Sequence, residues 1–102
     1  MTKVQRVGEE LRKAMKAAQA LGYVIKRRVT FGPSTRTCCA LGAYAVVNGL
    51  DKRSIFSACR EPLGLSGEDI DEIICGFDSS EPEDVTPYYR LGRDLAAEFV
   101  KE

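Results

Sequence analysis

The sequence predicts a mainly α fold: about five short helices around a central apolar helix (38–48), with one small β-hairpin near 23–37. Three observations predict it. Apolar residues recur at spacings of three and four in several separate stretches, the mark of amphipathic helices. The stretch Tyr23 to Phe31 switches to β-branched and aromatic residues and runs into Gly32-Pro33-Ser34. The stretch Cys38 to Asn48 is apolar almost all round, as a helix is when other helices enclose it. A length of 102 residues fits a single domain, 1–102, with a small core.

The elements follow in order. Over residues 3–21, Val4, Val7, Leu11, Ala14, Met15, Ala18 and Leu21 draw one apolar stripe, and Arg6, Arg12, Lys13 and Lys16 make the outer face basic. Thr2 is placed to cap this helix and Gly22 to end it in the left-handed conformation. Tyr23 to Phe31 is expected as a strand, followed by a turn and a short return strand near Thr35–Thr37. A two-stranded ribbon is marginal by itself, so it must lean on a helix. Thr37 is expected to cap the central helix and Gly49 to stop it, with Gly42 and the alanines allowing close helix contact.

A short helix from Ser54 to about Glu61 is expected to bury Ile55, Phe56 and Cys59 and to end at Pro62, with Leu63-Gly64-Leu65 as the turn. Ser66 with Asp69 three residues on is a helix start. Ile70, Ile73, Ile74 and Phe77 share a face of the helix over 67–76, which Gly76 is expected to end. Asp78 to Val85 reads as an acidic loop with Pro82, the most mobile segment of the chain. Thr86-Pro87 opens the last helix, with Pro at the first turn where its missing N–H costs nothing. Tyr88, Leu91, Leu95, Ala96 and Phe99 form its apolar stripe.

Charge is sorted along the chain. Residues 1–60 hold twelve Lys/Arg against Glu9, Glu10 and Asp51, a formal +9, and residues 61–102 hold three Lys/Arg against twelve Asp/Glu, a formal −9. The sum is zero, yet such asymmetry points to an interaction surface. No stretch approaches the roughly 20 apolar residues that span a bilayer, and the start of the chain has no apolar signal core, so the cytoplasm is the expected location.

The chemistry-bearing residues offer no catalytic set. The chain has no histidine. Its cysteines, Cys38, Cys39, Cys59 and Cys75, form no C-x-x-C pair, which argues against zinc, and they are expected to be reduced and buried. A Cys59–Cys75 bridge would need an oxidising compartment. If Thr37 caps the central helix, Cys38 and Cys39 lie in its first turn, where backbone N–H groups and Arg36 favour a thiolate, but the usual histidine base is missing. The stretch Ser54 to Phe77 has the outline of a helix-turn-helix, but the second helix carries Glu68, Asp69, Asp71 and Glu72, which a phosphate backbone repels. Lys26, Arg27, Arg28 and Arg36, flanked by Tyr23 and Phe31, suit phosphates and bases better. Against that stand a solvated edge strand and internal neutralisation by the acidic loop. No calcium loop, phosphate loop or nucleophile elbow is present, so no cofactor and no metal are implied.

Three pieces carry a resemblance: Cys39-Ala40-Leu41-Gly42-Ala43, Gly76-Phe77-Asp78 and Tyr89-Arg90-Leu91-Gly92-Arg93. Over about residues 37–99 the chain resembles small uncharacterised bacterial and phage-encoded domains with a Cys-x-Leu-Gly-Ala helix, a Gly-Phe-Asp and a tyrosine-bearing final helix. The resemblance implies a fold unit from a bacterial or phage setting and brings no activity, cofactor or site residue with it.

The reading that results is a non-enzymatic binding or regulatory module acting through protein–protein contact or self-association. Its expected contact residues are Lys26, Arg27, Arg28 and Arg36 on one side and Asp78, Glu81, Glu83 and Asp84 on the other. Two alternatives stay open: nucleic-acid binding through the basic ribbon 26–36, and an enzyme using Cys38 or Cys39.

Overall fold

The computed structural model describes residues 2–29, 31–32, 34–51, 53–78 and 86–100. Helix α1 (Lys3–Ala20) leads into strands β1 (Val24–Ile25), β2 (Phe31–Gly32) and β3 (Thr37–Cys38). Helices α2 (Ala40–Val47), α3 (Ile55–Leu63), α4 (Gly67–Asp78) and α5 (Pro87–Phe99) follow. The mainly α fold expected from periodicity is what forms.

Local signals set most helix ends. Thr2 Oγ1 accepts the N–H of Gln5 at 3.2 Å while the Gln5 side chain accepts the N–H of Thr2 at 2.9 Å, a closed capping box. Ser66 and Asp69 form the same reciprocal pair at the start of α4, and Thr86 Oγ1 accepts the Tyr89 N–H at the start of α5. Gly22 and Gly64 take positive φ, +95° and +67°. Each lets the chain fold back on a helix end, with Tyr23 N–H on the Ala18 carbonyl and Leu65 N–H on the Arg60 carbonyl.

Other boundaries differ from expectation. Thr37 does not cap the central helix. Thr37 and Cys38 form β3, and Cys39 is the cap, its sulfur accepting the Gly42 N–H at 3.4 Å, so α2 begins at Ala40 rather than 38. Pro62 does not stop α3. It sits in the last turn, and the helix runs to Leu63 before left-handed Gly64 ends it. Gly76 does not stop α4, which continues to Asp78.

The expected hairpin exists as β2 antiparallel to β3, with Phe31 opposite Cys38. It gains a third strand, because β1 pairs parallel to β3 with Val24 opposite Thr37, giving the order β1-β3-β2. The run Tyr23 to Phe31 is therefore not one strand. A turn over Lys26–Val29 breaks it, with Arg28 in the left-handed region at φ 62°.

The core gathers Leu11, Met15 and Ala18 of α1, Leu41 of α2, Ile70, Ile73 and Phe77 of α4, and Leu95 of α5. Helix α2 is buried from Ala40 through Ala45, as its lack of a polar face demands. The most extensive helix contact is α4 against α5. There Gly76 lies against the main chain of Tyr89, and Gly92 against the main chain of Ile73 and Phe77. A Cβ at either position would collide with backbone atoms, so these glycines serve close approach and not helix termination. Four large apolar side chains remain exposed among the described residues: Leu21, Val24, Val47 and Phe56. Leu21 and Phe56 were expected in the core. Leu21 falls past the last helical residue, and Phe56 sits one position off the Ile55–Cys59–Leu63 face that α3 buries.

Candidate functional site

The turn that breaks the first strand is tied to the far end of α4. The Arg28 N–H donates to Asp78 Oδ1 at 2.8 Å, and Arg27 Nε donates to the Phe77 carbonyl at 3.2 Å. The last carbonyls of a helix have no partners within it and carry partial negative charge, so a guanidinium is well placed there. A non-glycine residue held at positive φ costs free energy, and the carboxylate of Asp78 offsets part of that cost by accepting the strained residue's N–H.

Between this turn and α4 opens a half-enclosed cleft of about 300 Å³. The turn contributes Arg28 and Val29, and α4 contributes Ile74, Phe77 and Asp78. Cys39, Ala40 and Leu41 come from the start of α2, and Phe56 from α3. The lining is mainly apolar, with one cation and one carboxylate. Two of the three sequence pieces singled out above, Cys39-Ala40-Leu41 and Phe77-Asp78, converge here although they lie far apart in the chain.

Burial sets three of the thiols, Cys38, Cys39 and Cys59, against thiolate formation. The cap position and the Gly42 N–H favour a Cys39 thiolate, but burial outweighs them and the thiol pKa is raised, with the Asp78 charge raising it further. Cys38 and Cys59 are pushed up to about 12, chiefly by desolvation and then by the neighbouring Cys39. Cys59 donates its S–H to the Leu41 carbonyl at 3.6 Å. Cys75 alone is exposed, which corrects the expectation of four buried thiols, and all four thiols, Cys59 and Cys75 included, are free. Among the described residues no group of three or more metal-ligating side chains comes together. No helix among them is long and apolar enough to cross a membrane.

The expected contact residues are divided. Arg28 meets Asp78 through its main-chain N–H, and Arg27 meets the neighbouring Phe77 carbonyl. Arg36, also left-handed at φ 54°, turns to the end of α1, where Nη1 donates to the Leu21 carbonyl at 2.9 Å and the guanidinium lies 5.6 Å from the centre of the Tyr23 ring. Lys26 is exposed beside them. Glu81, Glu83 and Asp84 lie outside the described residues, as does the rest of the expected acidic loop after Asp78 up to Val85. The residues not anticipated are Val29, Phe56 and Ile74. A signal for Phe56 was present, because an aromatic residue at i+1 from a buried i, i+4, i+8 stripe faces outward.

The chain is similar to the UPF0332 protein of Archaeoglobus fulgidus. The two are 28% identical over 109 residues, an alignment covering 92% of this chain and 86% of that protein. That name states no activity and no partner, so the likeness supports a small uncharacterised domain and brings no chemistry to the cleft. No family model matches the chain, and no solved structure matches it.

Proposed function

We propose that this chain is a non-enzymatic binding module that acts through protein–protein contact at the cleft between the Lys26–Val29 turn and α4. In this reading Lys26, Arg27 and Arg28 frame one side, Asp78 stands on the other, and Arg36 holds the sheet against α1. The observation that carries the reading is the pairing of an apolar cleft with an exposed aromatic. Phe56 is 36% exposed at the margin of a lining formed by Val29, Ile74 and Phe77. Apolar cavities with a few polar groups at the rim are the common form of a binding site, and aromatic residues are enriched at the centre of protein contacts. Burial of the Cys39 thiol raises its pKa, which weighs against its use as a nucleophile there.

Photo-cross-linking from position 56 tests this. With benzoylphenylalanine in place of Phe56, irradiation of cells is expected to give discrete protein adducts that disappear when Arg28→Glu is added. The same probe at Lys16, on the outer face of α1, is expected not to give them. Identical adducts from both positions, or none from position 56, would contradict the reading.

A further inference from the structure

The cleft has a size, a charge and a limit on its contact area, and the three together narrow the partner's chemistry. We infer that it takes a short acidic segment of another protein that inserts one large apolar side chain, phenylalanine or leucine, between Val29 and Ile74 while its carboxylates face Lys26 and Arg28. This rests on the protein-binding reading above and names the class of partner.

Size sets the anchor. A volume of about 300 Å³ admits one aromatic or branched side chain with some of its main chain, and not the whole face of a helix. Charge sets the flanks. Lys26, Arg27 and Arg28 are consecutive cations on the turn, and Lys26 and Arg28 are exposed. The opposing carboxylate, Asp78, already accepts the Arg28 N–H. Among the described residues the turn sets three cations, Lys26, Arg27 and Arg28, against the single carboxylate of Asp78, so acidic flanks are favoured over basic ones.

Contact area decides against a second copy of the chain. A stable symmetric pair needs roughly 800 Å² from each partner, with an apolar centre. Of the four exposed large apolar side chains among the described residues, only Phe56 borders the cleft. One exposed ring beside a pocket suits a small contact in which a single inserted partner residue dominates.

The test uses the full chain and three fluorescein-labelled peptides followed by fluorescence anisotropy: EDEFLEDE, KKKFLKKK, and EDEAAEDE. EDEFLEDE is expected to bind saturably, and the other two at least about tenfold more weakly. Phe56→Ala and Arg28→Glu are each expected to weaken EDEFLEDE by about tenfold while circular dichroism and melting show a folded protein, and its affinity is expected to fall as salt rises. Equal binding of the acidic and basic peptides overturns the proposal. So does the absence of saturable binding. If the E81Q/E83Q/D84N variant then binds where the parent does not, the chain's own acidic segment is the occupant. A dimer seen by light scattering that Phe56→Ala dissolves makes a second copy the occupant and overturns it equally. Should cross-links from position 56 survive while EDEFLEDE fails, only this inference falls and protein binding stands.

Discussion

Asp78 holds the N–H of Arg28 at 2.8 Å across a sequence separation of 50 residues, and so fixes the width of the cleft. Arg28 is left-handed at φ 62°, a conformation that glycine adopts without strain. The two residues therefore make separable contributions. Asp78→Ala is expected to cost about 1 kcal/mol, since a charge-assisted but partly exposed hydrogen bond is lost. Arg28→Gly is expected to be neutral or stabilising by about 0.5 kcal/mol, because relief of strain offsets the added freedom of the unfolded chain. Urea unfolding of both variants checks the signs. A more stable Asp78→Ala would mean that the turn is not held by its carboxylate.

The contact between α4 and α5 leaves no room for a methyl group at Gly92 or Gly76. Gly92→Ala is expected to destabilise by about 2 kcal/mol or more, because the colliding atoms are backbone of Ile73 and Phe77 and cannot rotate away. Gly49→Ala meets no atom within 4 Å, so its cost comes from φ 66° alone and is expected near 1 kcal/mol. Thermal unfolding of the two side by side separates crowding from backbone strain. Equal losses would contradict the close crossing.

These glycines also show where sequence reading reached its limit. Caps at Thr2, Ser66 and Thr86 were legible because donor and acceptor lie three residues apart in the chain. Gly76 reads as a stop from sequence because a glycine that ends a helix and one that admits a neighbouring backbone look identical until the neighbour is known. Cys38 reads as the start of the central helix and Thr37 as its cap for the same reason: their strand exists only through pairing with distant Val24 and Ile25 and with Phe31 and Gly32. The two sides of the cleft lie about fifty positions apart, so its charges were visible in the sequence while the cavity between them was not.

Thiol chemistry follows from burial. In the folded protein Ellman's reagent is expected to titrate Cys75 alone at pH 8, and all four thiols after addition of guanidinium. Rapid reaction of Cys39 in the folded state would count against the burial that raises its pKa.

Stability is also expected to decline in alkali. Cys38 and Cys59 hold their protons to about 12 in the folded chain, whereas exposed thiols release them near 9. The unfolded state then binds fewer protons than the native state, so stability is intact below pH 9 and falls as pH rises towards 12. Each of these two thiols contributes a slope of up to about 1.4 kcal/mol per pH unit in that window. Serine at both positions should flatten the decline, and an unchanged slope would place its origin elsewhere.

Nucleic acid is expected to bind weakly or not at all. Arg36 and Arg27 each donate to a backbone carbonyl, and the chain carries no excess positive charge. Single-stranded RNA at about 50 mM salt, a condition generous to electrostatic binding, should show no mobility shift. A shift that Arg28→Glu abolishes would favour a nucleic-acid surface on the same turn.

Chemical-shift mapping of the nitrogen-15-labelled chain during titration with EDEFLEDE reads the cleft most directly. The largest changes are expected at the amides of Arg28, Val29, Phe56, Ile74 and Phe77, with α1 unmoved from Gln5 to Ala17. Changes concentrated on α1, or none at saturating peptide, would contradict binding at the cleft.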